Sequence, residues 1–229
     1  MNYCKGPTLH EILHTTGKEK LSFPRKINVV IQMCQGMSYL HSRGIIHKDF
    51  RSKNVFVEPN FKIVISDFGL FNIYRLFDSE QQEHGCKTIR VPENWLCYQA
   101  PEILRNLKGP QPGHILQDFP FSFSSDSYAF GTLFHEMSTE RYPFDNVNPQ
   151  TLIFQVCSGI RGPKMILNVG SDFDKEFQDL CAKCWSFDSE NRPTFMEIYD
   201  FVSAKSKRIA SFHLRGNSMP ETPDRTNTP

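Results

Sequence analysis

His47-Lys48-Asp49-Phe50-Arg51-Ser52-Lys53-Asn54 lies between two short β-prone runs, Ile45-Ile46 before it and Val55-Phe56-Val57 after it. Asp67-Phe68-Gly69 follows thirteen positions after Asn54, and Ala100-Pro101-Glu102 comes further along the chain. Each of these pieces alone says little, since an isolated Asp-Phe-Gly is more often a turn than a metal site. The information lies in their order and spacing, H-x-D-x-x-x-x-N, then D-F-G, then A-P-E.

Composition sets the frame for that loop. The chain has 229 residues, 39% of them hydrophobic, with 20 Phe, which is enough for one large domain with a substantial core. A net charge of +1 gives no global argument for nucleic acid or an anionic membrane. No apolar run approaches the roughly 18 residues of a membrane-spanning helix. Met1-Asn2-Tyr3-Cys4-Lys5-Gly6 has no apolar signal-peptide core. An odd cysteine count of 7, irregularly spaced, favours a reduced, cytoplasmic protein over a disulfide framework. Cys181-Ala182-Lys183-Cys184 is the one C-x-x-C. With no second pair to complete four zinc ligands, it reads as core packing.

Periodicity supplies the elements. Thr8-Leu9-His10-Glu11 reads as a capping box that starts a short helix to about His14. Ile27, Val30, Ile31, Cys34, Met37 and Leu40 recur at three and four, predicting an amphipathic helix from Ser22 to Ser42 that Gly44 stops. Short strands are expected at 45–46, 55–57 and 62–65, the last two joined by a Pro59-Asn60 turn. Residues 70–99 form a long segment with a polar middle, and 105–124 a second loop. Helices are expected over about 125–139, 149–158, 172–185 and 194–205. The tail from Ser206 is polar, contains several prolines and is expected to be disordered.

Taken together, the ordered motifs resemble a protein kinase. The resemblance covers about residues 1–205 and implies a mainly α (α+β) fold: a kinase-like C-terminal lobe with a few short β-strands. It implies ATP and Mg2+ as cofactors, because phosphoryl transfer relies on positioning and charge neutralisation. Asp49 would accept the substrate hydroxyl's proton, with Arg51 beside the γ-phosphate. Asn54 and Asp67, both oxygen donors, would hold magnesium. His47, Phe68 and Gly69 complete the motifs. Ser125-Asp126-Ser127-Tyr128-Ala129-Phe130-Gly131 resembles the kinase helix whose aspartate bonds the catalytic-loop backbone. Asn191-Arg192-Pro193 resembles the segment whose arginine pairs with the glutamate of A-P-E, here Glu102. Met1 to Leu9 resembles the hinge, which puts Met1, Tyr3 and Cys4 at the nucleotide. No G-x-G-x-x-G occurs in the sequence. The upper lobe is therefore expected to be missing, and a truncated product is favoured over a genuine lone lower lobe.

Phe119-Pro120-Phe121-Ser122-Phe123 and Leu152-Ile153-Phe154 resemble the RAF branch of that family. Within it, His47-Lys48-Asp49, Arg51 to Phe56, Asp67 to Phe71 and Asn94-Trp95-Leu96-Cys97 are similar to the kinase suppressor of Ras group. This resemblance implies a pseudokinase scaffold of the Ras–RAF–MEK–MAP kinase cascade with weak or absent catalysis. Its partners would be MEK-type and RAF-type kinases, with MEK docking on the helix near 149–158. It also implies a cytoplasmic protein, recruited to the plasma membrane through domains of a longer chain. Lys48 stands where active kinases carry an arginine that grips an activation-segment phosphate with two prongs; an ammonium cannot form that fork. Two alternatives remain. One is an active RAF-like serine/threonine kinase. The other is a nucleotide-free interaction domain, against which the retained Asp49, Asn54 and Asp67 weigh. A tyrosine kinase is disfavoured because the segment before Ala100 lacks the proline pattern associated with tyrosine substrates.

Overall fold

A computed structural model describes residues 4, 6–15, 20–69, 94–107, 119–160 and 171–216. Met1, Tyr3 and most of the 70–99 segment lie outside the described residues. Among the described residues the fold is helix-rich with one two-stranded sheet, in agreement with the mainly α (α+β) expectation.

Helix α1, Leu9–His14, starts at the anticipated capping box: Thr8 Oγ1 accepts the Glu11 amide, and Glu11 Oε2 accepts the Thr8 amide. Helix α2 runs Phe23–Ser42. Gly44, with φ +73°, closes its C-terminal end and donates its amide to the His41 carbonyl. The apolar face is broader than the pattern suggested. Val29 and Met33 are fully buried beside Ile27, Val30, Cys34, Met37 and Leu40, whereas Ile31 is only partly so.

Strands β1, Val55–Glu58, and β2, Lys62–Ile65, pair antiparallel with Val55 opposite Ile65 and Glu58 opposite Lys62. The turn at Pro59–Phe61 uses positive φ at Asn60 and Phe61. Gln32 on α2 fixes the hairpin by donating to the Phe61 carbonyl at 2.8 Å and accepting the Ile63 amide at 3.0 Å. Ile45-Ile46 is not a strand. The run is too short to build a ladder, and its continuation turns at once: the His47 amide goes to the Asp126 carboxylate and the His47 carbonyl to the Gly69 amide.

After the short helix α3, Pro101–Leu104, comes α4, Phe123–Thr139, which begins earlier than expected because Ser122 and Ser125 form a reciprocal cap. Every residue of α4 from Ser125 to Met137 is buried, which makes it the central element. Helix α5, Pro149–Cys157, packs on α3, while α6, Ser171–Cys184, packs on α4. Helix α7, Phe195–Gly216, lies along α2 and continues past residue 205, where the sequence placed the end of the folded part. An aromatic cluster joins these helices to the loop. Phe195 meets Phe50, Phe130 and His41 edge-on, at centroid distances of 5.8, 5.7 and 5.1 Å. Cys181 and Cys184 are core residues: Cys181 Sγ contacts the Gly131 carbonyl, and burial pushes the Cys184 thiol up to about 12.

Gly131 tests the α4–α6 packing. A Cβ there would stand 2.8 Å from Cys184 Cβ and 2.9 Å from Trp185 Cδ1. Alanine is the better helix former by about 1 kcal/mol, but overpacking a rigid core costs about 1–3 kcal/mol. Since the obstructing atoms are buried and close to the backbone, packing should prevail. Gly131→Ala is expected to lower Tm by a few degrees in calorimetry; a rise would show that α6 can retreat freely.

Candidate functional site

The loop from His47 to Asn54 is held by a buried carboxylate beneath it. Asp126, in the first turn of α4, accepts the His47 amide on Oδ2 at 2.8 Å and the Lys48 amide on Oδ1 at 3.0 Å. His41 Nε2 also lies 2.9 Å from Oδ2. Lys48 adopts φ +70°, a left-handed conformation costing a non-glycine residue about 1–2 kcal/mol. That twist turns successive amides onto one carboxylate, and charge-assisted bonds to a buried acceptor offset the strain. The structure thus places Asp126 against the loop backbone, with both carboxylate oxygens engaged by loop amides.

Beyond Lys48 the polar groups converge. The Asp49 amide donates to His47 Nδ1 at 3.3 Å. Asn54 Nδ2 donates to the Asp49 carbonyl at 2.7 Å and to Asp49 Oδ2 at 2.9 Å. Arg51 Nε donates to Asp49 Oδ2 at 3.2 Å and lies 3.1 Å from Oδ1. Burial pushes the Asp49 carboxyl up, with Arg51 and Asn54 opposing the shift. Burial likewise pushes His47 down from the usual imidazole range, against the pull of Asp126. Ser66 carries the chain from β2 to Asp67. Its amide bonds the Asn54 carbonyl at 3.0 Å, and its Oγ donates to Asp67 Oδ2 at 3.2 Å. Asp67 and Gly69 both take positive φ, and Phe68 is 42% exposed. The structure therefore gathers His47, Lys48, Asp49, Arg51, Asn54, Asp67, Phe68, Gly69 and Asp126 at one place. Cys4 is half-buried; Met1 and Tyr3 lie outside the described residues.

The donor chemistry suits magnesium. Because Asn54 uses its amide nitrogen on Asp49, its amide oxygen has no protein donor among the described residues. Asp67 adds an exposed carboxylate, so a hard cation would meet oxygen ligands alone.

A second constellation anchors the segment that ends in A-P-E. Arg192 Nη1 and Nη2 donate to Glu102 Oε1 and Oε2 at 2.6 and 2.9 Å, a two-pronged pair. The guanidinium also reaches the carbonyls of Ser186 and Ser124 and lies 5.1 Å from the Tyr128 ring centroid. The model of the protein tyrosine and serine/threonine kinase family matches residues 1–202. The chain belongs to that family. Among curated relatives it is 36% identical over 205 residues to "Kinase suppressor of Ras 2" of Homo sapiens, covering 90% of this chain and 20% of that one. It is 35% identical over 209 residues to "Kinase suppressor of Ras A" of Caenorhabditis elegans, covering 91% and 26%. It is 28% identical over 220 residues to "Serine/threonine-protein kinase A-Raf" of Sus scrofa, covering 96% and 32%. The similarity to the RAF branch and to kinase suppressor of Ras stands. The chain spans about a fifth of the length of the human relative it matches.

Sequence reasoning missed one buried acid of this kinase-family chain. Glu136, on α4, is fully buried and accepts the Ser52 hydroxyl at 2.7 Å on Oε1 and the Tyr98 hydroxyl on Oε2. His14 Nε2 lies 2.8 Å from Oε1. Burial alone would push this carboxyl up, but His10, His14, Tyr98 and Ser52 outweigh it and hold the group below the usual range. No motif flags a glutamate inside a helix; its burial follows from α4 being enclosed on every side.

Removing one partner of the Arg192–Glu102 pair leaves the other without its counter-charge, which typically costs about 3–5 kcal/mol. Arg192→Ala should accordingly lower Tm by about 6–20 °C for a domain of this size. An unchanged Tm would remove the pair from the account of stability. Asp49 predicts the opposite sign. Its folded value is raised, so its contribution to stability is fully present below the unfolded value and is lost as pH rises through the folded one. At neutral pH the ionised carboxylate therefore weakens the fold. Asp49→Asn should raise Tm at pH 7, with the gain shrinking as pH falls below the ordinary aspartate value of about 4. A drop in Tm at pH 7 would mean that the Arg51 contact outweighs burial.

Proposed function

We propose that this chain is the C-terminal lobe of a kinase-like domain that works in the cytoplasm as a scaffold of the Ras–RAF–MEK–MAP kinase cascade, with weak or absent catalysis. The observation that carries the reading is Lys48, which keeps the loop backbone in place through Asp126 but offers a single ammonium where a phosphate-gripping fork would be needed. Similarity to kinase suppressor of Ras proteins of human and nematode supports it.

Protein kinases use ATP and Mg2+. Here Asn54 and Asp67 would hold the magnesium, Arg51 would lie near the γ-phosphate, and Asp49 would take the hydroxyl proton. A retained trio of Asp49, Asn54 and Asp67 favours a second reading, an active RAF-like serine/threonine kinase. The preserved Asp49–Asn54 hydrogen bonds give that alternative its weight.

The docking face for a MEK-type kinase would be α5. Phe154 is 66% exposed there, beside a surface cavity of about 600 Å³ lined by Leu104, Leu107, Ile153 and Cys157. An aromatic side chain standing in solvent next to an apolar hollow is what a partner can bury. Immobilised chain is expected to retain a purified MEK-type kinase and to transfer no phosphate to it in Mg-ATP. Phe154→Ala should cut retention at least about tenfold, a typical consequence of losing an interface anchor. Retention that survives Phe154→Ala would displace the interface from α5. Phosphate transfer abolished by Asp49→Ala would establish the second reading instead.

A further inference from the structure

His10-Glu11-Ile12-Leu13-His14 has the form H-E-x-x-H, and it lies on α1, away from the loop motifs. On a helix this spacing puts both imidazoles on one face, the arrangement that binds zinc in many metalloenzymes. Their ring centroids are 4.7 Å apart. A third donor comes from α4: His10 Nδ1 and His14 Nε2 lie 3.9 and 2.8 Å from Glu136 Oε1. Among the described residues these three form the one group of metal-ligating side chains so gathered, with ligand atoms within 4.8 Å of one another. We propose that His10, His14 and Glu136 bind a zinc-class divalent cation that clamps α1 to α4.

The geometry suits such an ion. A tetrahedral site with metal–ligand bonds of about 2.0–2.1 Å separates its ligand atoms by about 3.3 Å; the separations of 2.8 and 3.9 Å bracket that value, and the remaining one, at up to 4.8 Å, would close as the ion binds. The imidazoles are 26% and 23% exposed and Glu136 is 0% exposed, so the ion would enter from solvent and settle against a fixed carboxylate. An outer shell is already in place. Ser52 and Tyr98 donate to the two Glu136 oxygens, which orients the carboxylate. The Tyr142 ring stacks on His14 at 4.8 Å, and its hydroxyl pairs with His10 Nδ1 at 2.8 Å, a hydrogen bond that the ion would replace. The donor set is nitrogen and oxygen without thiolate, which favours zinc, cobalt, nickel or copper over the hard alkaline-earth ions.

A hydrolytic role is not part of the proposal. The Glu11 carboxylate caps its own helix by accepting the Thr8 amide at 3.0 Å, so it is engaged away from the position a general base would need. The consequence is mechanical. Ser52 belongs to the catalytic loop, and its hydroxyl ends on the same carboxylate oxygen, so an ion here would bind α1, α4 and that loop through one group.

The test uses the whole chain, stripped by chelator and titrated with Co(II) under absorption, then with Zn(II) as competitor while Tm is followed. One equivalent of tetrahedral Co(II) is expected, without a thiolate charge-transfer band, displaced by Zn(II), together with a zinc-dependent rise in Tm. Removing a ligand should weaken binding more than the roughly 10–100-fold seen on losing outer-shell partners. His10→Ala and His14→Ala should each meet that mark. Absence of Co(II) binding by the parent chain would overturn the proposal, and so would a thiolate band, which would assign the ion to cysteines. Binding unchanged in both variants would overturn it equally. The parent-chain spectrum decides the matter even if a variant fails to fold.

Discussion

One buried carboxylate, Asp126, sets the shape of everything above it. It sits in the first turn of α4, where the helix dipole favours a negative charge, and α4 itself is enclosed along most of its length. Two consecutive loop amides end on its two oxygens, which is possible because Lys48 turns left-handed between them. Once that turn is fixed, Asp49 follows in a direction it cannot easily change. Phe50 is carried into the aromatic cluster around Phe195. Asn54 then returns to bond Asp49 across the loop. A charged acceptor, a left-handed residue and a buried ring agree on one conformation of the loop.

The same device recurs across the fold. Asp126 and Glu136 lie within α4 and Glu102 on α3, and each organises loop or helix ends through more than one donor. Taking a carboxylate out of water is expensive, and the expense is offset only when its lone pairs are filled with good geometry. Here the offset is visible: Arg192 supplies two prongs to Glu102, and Glu136 stays ionised in spite of burial because hydroxyls and imidazoles converge on it. A hydrophobic residue of similar volume could fill the space under the loop, but it could not hold two amides in register.

Much of this was legible in the sequence, and the parts that were not share a cause. Local signals were accurate: the Thr8–Glu11 cap, the Gly44 stop and the hairpin turn at Asn60 all depend on neighbours within a few residues. The ordered motifs singled out Asp49, Asn54 and Asp67 through their family resemblance, and Asn54 bonds Asp49 directly while Ser66 links Asn54 to Asp67. Pairings between distant residues, Glu102 with Arg192 and Asp126 with the loop, came only from family resemblance. Glu136 escaped even that, because a glutamate in a helix reads as solvent-facing unless the burial of the whole helix is known. Ile45-Ile46 misled for the complementary reason. Two β-prone residues make a strand only if a neighbour offers a ladder, and here the chain turns to Asp126 instead.

The way Asp126 holds Lys48 bears directly on what the substitution at that position can alter. Asp126 binds the backbone of residue 48, not its side chain. The left-handed φ penalises lysine and arginine alike, since the strain arises at Cβ. Loop geometry is therefore indifferent to which of the two stands there, and Asp49, Asn54 and Arg51 keep their mutual contacts with lysine in place. What changes is confined to the end of the side chain, where a planar fork with five donors becomes one compact charge. A phosphate on a neighbouring segment would lose its paired contact while the machinery beneath stayed in register. The fold thus separates the geometry of the loop from its response to phosphate.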